Sequence, residues 1–184
     1  MYSRFGLVAR RYNYCMCEIK IVRLSSRQWR RYREIRLESL REEPQAFGSS
    51  LLDTEKKPPA YWQGRLAEAA RGENSVLFFA QAGERLIGMI GVFYDEIQET
   101  AQIISVYVRK AERGKGVGNL LMQAILSEIG RKKGIRKAVL GVNQEQTAAV
   151  RLYRRFGFEV TDQREEVQGD GRKHCGYWME KQLG

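Results

Sequence analysis

The chain has 184 residues, 43% of them hydrophobic and 29% charged, which is the size and composition of one folded domain rather than of a disordered protein. No apolar run approaches the roughly 18 residues of a membrane span, and a single histidine, His174, excludes a metal site built from several histidines. Thirty-two lysine and arginine residues against 22 acidic residues give a net charge of +10, which favours an anionic partner: nucleic acid, an acidic surface or a phosphorylated cofactor.

The first 17 residues differ from the rest of the chain, since they carry three arginines, no acidic residue and little regular apolar patterning. We interpret 1–17 as an N-terminal extension without a function of its own, because it lacks the continuous apolar segment of a secretory signal, and 18–184 as a single domain. Cys15, Cys17 and Cys175 are too few for a disulfide scaffold and lack the further Cys/His pair of a zinc site. We therefore expect reduced thiols and a cytoplasmic protein.

The first half of the domain shows alternating strand and helix signals. A capping box, Ser25-x-x-Gln28, marks the start of a first helix, and a proline pair marks the start of a second. The predicted elements are, in order, a strand over 19–24, a helix to about Leu40, a loop over 43–57, a helix over 59–71 and a β-hairpin of 76–80 and 86–94.

The second half places a buried strand, a glycine loop and an amphipathic helix in direct succession, and another buried strand follows. This order predicts a βαβ unit with parallel strands. The predicted elements are a strand over 103–108, the glycines Gly114, Gly116 and Gly118, a helix over 117–129, a strand over 137–142, a helix over 146–155 that ends at Gly157, and a closing hairpin of 158–167 and 175–179.

The glycine loop predicts an anion site. Glycines directly before a helix leave backbone N–H groups unpaired at the positive end of the helix dipole, with no side chains in the way. The basic residues Arg109, Lys110, Arg113 and Lys115 surround the loop, so we expect the pyrophosphate of a phosphorylated cofactor. A Walker loop is excluded because Asn119 follows the last glycine, and the glycine spacing does not match a dinucleotide fingerprint. A tight turn without a ligand is the structural alternative.

Two motifs in this half resemble the GNAT superfamily of N-acetyltransferases. Arg113-x-x-Gly116-x-Gly118 is similar to the family's R/Q-x-x-G-x-G/A signature. The segments 140–143 and 149–158 are similar to its V-N…A-x-x-L-Y-x-x-x-G-F block. The resemblance covers about 18–182 in element order, and it implies a mixed α/β (α+β) fold whose central mixed sheet has about seven strands with flanking helices.

The resemblance also implies a role for individual residues in binding acetyl-CoA. Val106 and Val108 would offer backbone groups to the pantetheine arm, and a side-chain amide, either Asn143 or Gln146, would bond the same arm; the two amides rank equally. The pyrophosphate would bind to the backbone N–H groups of the loop, which consists of Arg113, Gly114, Lys115, Gly116, Val117 and Gly118.

Tyr153 falls on the family's tyrosine, which points at the coenzyme sulfur and protonates the leaving thiolate. Packing in the core is the alternative for this residue, because Leu152 and Phe156 beside it are core residues. The family's general base has no equivalent, since the matching positions hold Gln102 and Gly141, neither of which can take a proton. Groups that could act directly or through water, although a solvated surface position is the simpler interpretation of each, are Asp53, Glu55, Asp95, Glu96, Glu99 and His174.

These features predict an acetyl-CoA-dependent N-acetyltransferase in which a primary amine, on a small molecule or on a protein or peptide, attacks the thioester directly. No metal, membrane or nucleic acid is required, and a homodimer is left open. The alternative is a catalytically weak module on the same fold that binds coenzyme A or nucleic acid for regulation, because fold alone does not guarantee turnover.

Overall fold

The computed structural model describes residues 18–184, so the predicted extension 1–17, with Cys15 and Cys17, lies outside the described residues. The predicted order of strands and helices is confirmed within a few residues at each end. The elements are β1 (Ile19–Val22), α1 (Trp29–Glu42), α2 (Leu51–Glu55), α3 (Pro59–Arg71), β2 (Ser75–Ala82), β3 (Arg85–Asp95), β4 (Thr100–Val108), α4 (Val117–Ile129), β5 (Lys137–Asn143), α5 (Thr147–Arg155), β6 (Glu159–Val167) and β7 (Lys173–Gln182).

The predicted loop over 43–57 is wrong in part, because it contains the short helix α2 and a 3₁₀ turn, Pro44–Ala46. Ser50 starts α2 by accepting a hydrogen bond from the Asp53 N–H at 3.3 Å, and the Thr54 hydroxyl donates to the Ser50 carbonyl at 2.6 Å. A helix of five residues is too short for a visible hydrophobic period, so its sequence looked like a polar connection.

The predicted capping box is present at the start of the helical segment. The Ser25 backbone N–H donates to the Gln28 side-chain oxygen at 2.9 Å, which closes a 3₁₀ turn that runs directly into α1. Helix α3 begins at Pro59, where the missing N–H leaves no bond unmade, and ends at Gly72, whose φ of +72° continues the chain out of the helix.

One seven-stranded sheet carries the domain, in the order β1-β2-β3-β4-β5-β7-β6. Strands β4 and β5 are parallel and the other neighbours are antiparallel, which confirms the βαβ unit with α4 as its crossover. One hydrophobic cluster packs α4 and α5 on one face of the sheet, and a second packs α1 and α3 on the other. The mixed α/β fold with about seven strands and flanking helices is therefore confirmed. Within 18–184 no helix is both long and apolar enough to cross a membrane.

The two parallel strands separate soon after they meet. They pair only over 100–102 of β4 and 137–139 of β5, and beyond these residues they diverge. Ser105 has a φ of +55°, and the register of β4 against β3 shifts around it. A bulge of this kind bends a strand and increases its twist, so β4 turns away from β5 and a gap opens in the middle of the sheet.

Candidate active site

A cavity of about 1390 Å³ opens at the gap between β4 and β5. The diverging strands, the glycine loop and the first turns of α5 line it. The connection between α1 and α2 and the hairpin of β6 and β7 close it from another side, where the Gly169 N–H donates to the Phe47 carbonyl at 2.6 Å. Its volume exceeds the roughly 300–1000 Å³ of ordinary small-molecule pockets, so it has room for a large ligand or for two ligands.

Val106 and Val108 present their backbone to this gap. The next residue, Arg109, donates its N–H to Ile87 of β3 at 2.9 Å, and successive residues of an antiparallel strand direct their backbone groups to opposite edges. The backbone groups of Val108, and of Val106 two residues earlier, therefore point away from β3. They meet no partner on β5, because the two strands have already separated there.

The glycine loop has the geometry of an anion site. Gly114 and Gly116 have φ values of +78° and +84°, which other residues rarely adopt, and a Cβ atom at either position would meet nothing within 4 Å. The first intrahelical bond here joins the Leu120 N–H to the Gly116 carbonyl, so the N–H groups of 117–119 keep their bonding capacity. A Cβ on Gly118 would lie 3.2 Å from Leu152, so this glycine lets α4 approach α5.

Of the four basic residues expected around the loop, Arg113 alone lines the cavity. Its guanidinium is held by Glu43 at 2.9 Å and by the Val108 carbonyl at 3.1 Å. Arg109 turns inward to an ion pair with Glu38, and Lys110 and Lys115 lie outside the cavity. Backbone N–H groups, rather than lysine or arginine side chains, are therefore the main donors that this loop could offer to an anion.

Tyr153 is buried, and its ring packs edge-on against Phe158 at 6.2 Å between centroids, so the core-packing interpretation describes the ring correctly. Tyr153 is one of the residues that line the cavity, and its hydroxyl makes no hydrogen bond to the residues of 18–184. Burial raises the pKa of the phenol well above its usual value, and the group therefore stays protonated at neutral pH. The side chain combines a packed ring with a proton donor that has no hydrogen-bond partner among residues 18–184.

The two candidate amides are in different situations. Asn143 is buried, its oxygen accepts the Glu145 N–H at 2.9 Å and its nitrogen donates to the Gln45 carbonyl at 3.4 Å. Gln146 precedes the first residue of α5, is half-buried in the cavity wall, and its amide makes no hydrogen bond within the described residues. Asn143 thus holds the connection between α1 and α2 in place, while the Gln146 amide is available to a ligand.

Neither position of the family's usual base holds a carboxylate, and the structure gives a reason at Gly141. Gly141 faces Trp178 across β5 and β7, and a Cβ there would lie 3.2 Å from the indole ring. The guanidinium of Arg164 stacks on the Trp178 ring at 5.2 Å from its centroid. The tryptophan therefore occupies the space that a side chain on residue 141 would need. Gln102 lies in the cavity wall.

Of the six alternative bases, His174 alone lines the cavity. Its Nε2 lies 2.8 Å from Asp170, whose pKa is lowered by the Arg172 N–H and by His174. The other five candidates lie outside the cavity. Asp95 accepts hydrogen bonds from two backbone N–H groups of its turn, Glu96 pairs with Lys132, and Glu99 pairs with Arg136. Asp53 and Glu55 lie on α2.

Sequence reasoning missed the polar network at the end of β4. The Tyr107 hydroxyl donates to Glu42 at 2.9 Å and lies 3.1 Å from Glu38, which also binds Arg109. Burial and these carboxylates raise the pKa of Tyr107. The spacing of Glu34, Glu38 and Glu42 along one helix face was the available signal. It also missed Arg36 and Arg65, which line the cavity among aromatic side chains.

Comparison with known proteins agrees with this geometry. Residues 29–158 match the model of a family described as the acetyltransferase (GNAT) family. Over 76 residues the chain is 40% identical to the L-methionine sulfoximine/L-methionine sulfone acetyltransferase of Pseudomonas aeruginosa, a match that covers 41% of this chain and 41% of that protein. The chain thus spans about two fifths of that relative's length in the match.

Solved structures share the whole fold. The acetyltransferase of the GNAT family from Streptococcus pneumoniae gives a TM-score of 0.76 at 19% identity, covering 90% of this chain and all of that one (100%). Spermidine N-acetyltransferase from Vibrio cholerae, in complex with CoA and spermine, gives a TM-score of 0.72 at 17% identity, covering 89% and 95%. At these identities the likeness concerns the fold alone.

Proposed function

Since this chain belongs to the acetyltransferase (GNAT) family, we propose that it is an acetyl-CoA-dependent N-acetyltransferase acting on a primary amine. The observation that carries the proposal is the junction of three features in one cavity: the gap between β4 and β5, the glycine loop at the start of α4, and Tyr153, whose hydroxyl has no hydrogen-bond partner in the described part of the chain. Relatives are named for acceptors as different as L-methionine sulfoximine and spermidine, so the acceptor is not carried over from them.

In this proposal the cavity residues fit acetyl-CoA along its length. The backbone edge at Val106 and Val108 would bond the pantetheine arm in the manner of an added strand, through the groups that remain beside the Val108 carbonyl, which accepts from Arg113 at 3.1 Å. The Gln146 amide would bond the same arm from α5. The pyrophosphate would accept from the N–H groups of 114–118, where the open space above Gly114 and Gly116 admits the phosphate oxygens. The Arg113 N–H, which the sequence placed in the same set, instead donates to the Lys110 carbonyl at 3.3 Å. Bound acetyl-CoA supplies a thioester whose carbonyl carbon is open to attack.

Tyr153 then transfers a proton to the leaving sulfur. A neutral acceptor amine attacks the thioester carbonyl, the carbon–sulfur bond breaks, and the thiolate takes the proton of Tyr153. The proton that the acylated nitrogen releases restores the phenol, so the reaction leaves Tyr153 as it began. No carboxylate base is needed in this scheme, because the amine reaches the site already neutral.

The cellular location, the domain organisation and the partners of the protein are also proposals. We place it in the cytoplasm because three cysteines are too few for a disulfide scaffold, and because Cys175 is exposed and forms no disulfide within 18–184. We treat 18–184 as a single domain, with acetyl-CoA and an acceptor amine as its partners. A homodimer remains open, and light scattering on the purified chain measures it directly.

Binding of acetyl-CoA is expected to raise the melting temperature. At a free concentration about one hundred times the dissociation constant, a ligand of the folded state stabilises it by about 2.7 kcal/mol, which corresponds to about 5–10 °C for a domain of this size. Differential scanning fluorimetry at increasing acetyl-CoA measures the shift. An unchanged melting temperature at millimolar acetyl-CoA would contradict the coenzyme site.

Thiol release separates the enzyme from the regulatory module. The enzyme is expected to liberate free CoA thiol from acetyl-CoA only when an acceptor amine is present, which a panel of amines and peptides tests with a thiol reagent. A nucleic-acid-binding module would instead bind oligonucleotides with an affinity that falls steeply with salt, and release no thiol with any member of the panel.

The two amides are expected to respond differently to substitution. Gln146→Ala should weaken acetyl-CoA binding by about 5- to 10-fold, the value of one hydrogen bond near 1 kcal/mol, and leave the melting temperature unchanged. Asn143→Ala should lower the melting temperature, because the Gln45 carbonyl and the Glu145 N–H lose their partners. Calorimetric titration and thermal unfolding of both variants test this; the reverse pattern would move the ligand contact to Asn143.

A further inference from the structure

Two arginines line the cavity without a carboxylate partner. Arg36 lies on α1 and Arg65 on α3, and neither forms an ion pair with an acidic residue of 18–184. The Nη1 atom of Arg36 and the Nε atom of Arg65 are buried and have no hydrogen-bond partner in the described part of the chain. A buried donor left without an acceptor is costly, so this pair has the character of a site that a ligand completes.

Aromatic rings fix the position of both guanidinium groups. Arg36 stacks on Phe47 at 4.7 Å from the ring centroid, and Arg65 stacks on Phe93 at 4.8 Å. Stacking on a ring face holds the plane of a guanidinium and leaves its N–H edge available. The two cations are also close enough to affect each other, since burial lowers the pKa of Arg36 and the charge of Arg65 lowers it further.

Helix α1 has several glutamates, so a lack of acidic residues does not explain why Arg36 has no carboxylate partner within 18–184. Glu34 and Glu38 bind Arg109, and Glu42 accepts from Tyr107. These glutamates repeat every four residues along one face of the helix, whereas Arg36 lies two residues from Glu34 and Glu38 and so faces elsewhere. The helix directs its acids toward the end of β4 and its unpaired arginine toward the cavity.

The pair is separate from the pyrophosphate site. Phe93, on whose ring Arg65 stacks, is the cross-strand neighbour of Gln102 near the start of the gap. The glycine loop follows the other end of β4, and the six residues from Gln102 to Val108 span about 20 Å of strand. A coenzyme whose phosphates lie at the loop leaves the arginine end for the second substrate.

We infer that Arg36 and Arg65 recognise the acceptor, and that the acceptor amine carries an oxyanion, a carboxylate, which the two guanidinium groups bind. This inference rests on the proposed function and names its substrate class. Paired arginines suit a carboxylate because each guanidinium offers a planar pair of N–H donors to two oxygens. They would repel a polycationic amine, so polyamines are expected to be poor acceptors.

The first test compares acceptors that differ only in the carboxylate. A panel of α-amino acids is assayed for thiol release beside the corresponding amino-acid amides and the amines that lack the carboxylate carbon. The best amino acid is expected to exceed its amide and its decarboxylated amine by at least about tenfold in kcat/KM, the usual value of a hydrogen bond to a charged group. The amide is a strict comparison, because its amine is the more readily neutral of the two.

The second test replaces the arginines by a side chain of similar length. Arg36→Met and Arg65→Met are each expected to raise KM for the best amino acid at least about tenfold, with a smaller change in kcat, and to leave the melting temperature equal or higher. Arg30→Met is the matched control: Arg30 also stacks on an aromatic ring, Trp29 at 4.8 Å, but lies outside the cavity. A fall in melting temperature for the two cavity variants, with KM unchanged, would make the arginines structural and overturn the inference.

The outcomes separate this inference from the proposed function. Equal activity with an amino acid and its amide would leave the transferase in place and overturn the arginine site. If no amine releases thiol although acetyl-CoA binds, the proposed function fails. The arginine site is then tested by binding alone: amino acids must raise the melting temperature of the unmodified chain and must not raise that of Arg36→Met. No stabilisation of the unmodified chain by any carboxylate compound would overturn the inference.

Discussion

Replacing Tyr153 with phenylalanine is expected to lower turnover by roughly 10²–10⁴-fold, the usual contribution of a positioned general acid. The substitution keeps the ring that packs on Phe158 and removes only the hydroxyl, which has no partner within 18–184. Affinity for acetyl-CoA should stay nearly constant, because the proposed role concerns the departing sulfur and not the bound coenzyme. Steady-state thiol release with the best acceptor, together with calorimetric titration of acetyl-CoA, measures both quantities.

Tyr94→Phe is the matched control for this substitution. Burial raises the pKa of Tyr94 to about 12, as it raises the pKa of Tyr153, but Tyr94 lies outside the cavity. Turnover of this variant should stay close to that of the unmodified chain. If Tyr153→Phe changes turnover less than about threefold while chemistry limits the rate, the residue is a core tyrosine and another group, or water, protonates the thiolate.

The raised pKa of Tyr153 shapes how this proton transfer can work. A phenol with a pKa above its usual value of about 10 is a weaker acid than an ordinary thiol at about 8.5, so a completed transfer from phenol to thiolate is uphill on its own. The nitrogen that has just formed its bond to the acetyl carbon is a strong acid and replaces the phenolic proton. The tyrosine is therefore expected to act as a relay between nitrogen and sulfur.

The central βαβ unit could be predicted from the sequence because its signals are local. An apolar strand, alternate glycines and an amphipathic helix are each visible within a few residues, and the handedness of the crossover is nearly invariant. The family's motif then placed Gly116, Gly118 and Tyr153 on the cavity. Positive φ at Gly114 and Gly116 follows from the same pattern, since glycine is the residue that adopts it readily.

The rest of the site could not be predicted because it depends on contacts between distant parts of the chain. Asn143 and Gln146 look equivalent in sequence, and one of the contacts that distinguishes them, from Asn143 to the Gln45 carbonyl, comes from almost one hundred residues away. Arg109 looks like a phosphate ligand until Glu38 of α1 is seen beside it. No local rule predicts that Trp178 fills the space next to Gly141.

Substitutions at Gly116 and Gly134 allow a controlled test of the proposed anion site. Gly116 directly precedes α4 and Gly134 lies in the turn before β5, and both have a φ of +84°. At both positions an added Cβ would meet nothing within 4 Å, so the first side-chain atom has room at either position. Gly116 lines the cavity and Gly134 does not. The backbone strain of a valine is therefore the same, and only the effect on the ligand differs.

Gly116→Val is expected to weaken acetyl-CoA binding by at least about 100-fold. The β-branched side chain projects into the open space that the phosphates would occupy, and it shifts the loop away from its positive φ, so that two or more hydrogen bonds to charged oxygens are lost at about 1.5–3 kcal/mol each. Gly134→Val should show a similar fall in melting temperature, since a left-handed conformation costs a residue with a side chain about 1–2 kcal/mol, but unchanged affinity for acetyl-CoA. Thermal unfolding and calorimetric titration of the two variants side by side give both numbers. Unchanged affinity in a folded Gly116→Val variant would mean that the coenzyme phosphates bind elsewhere, and equal losses of affinity in both variants would mean that backbone strain, rather than the occupied ligand space, disturbs the site.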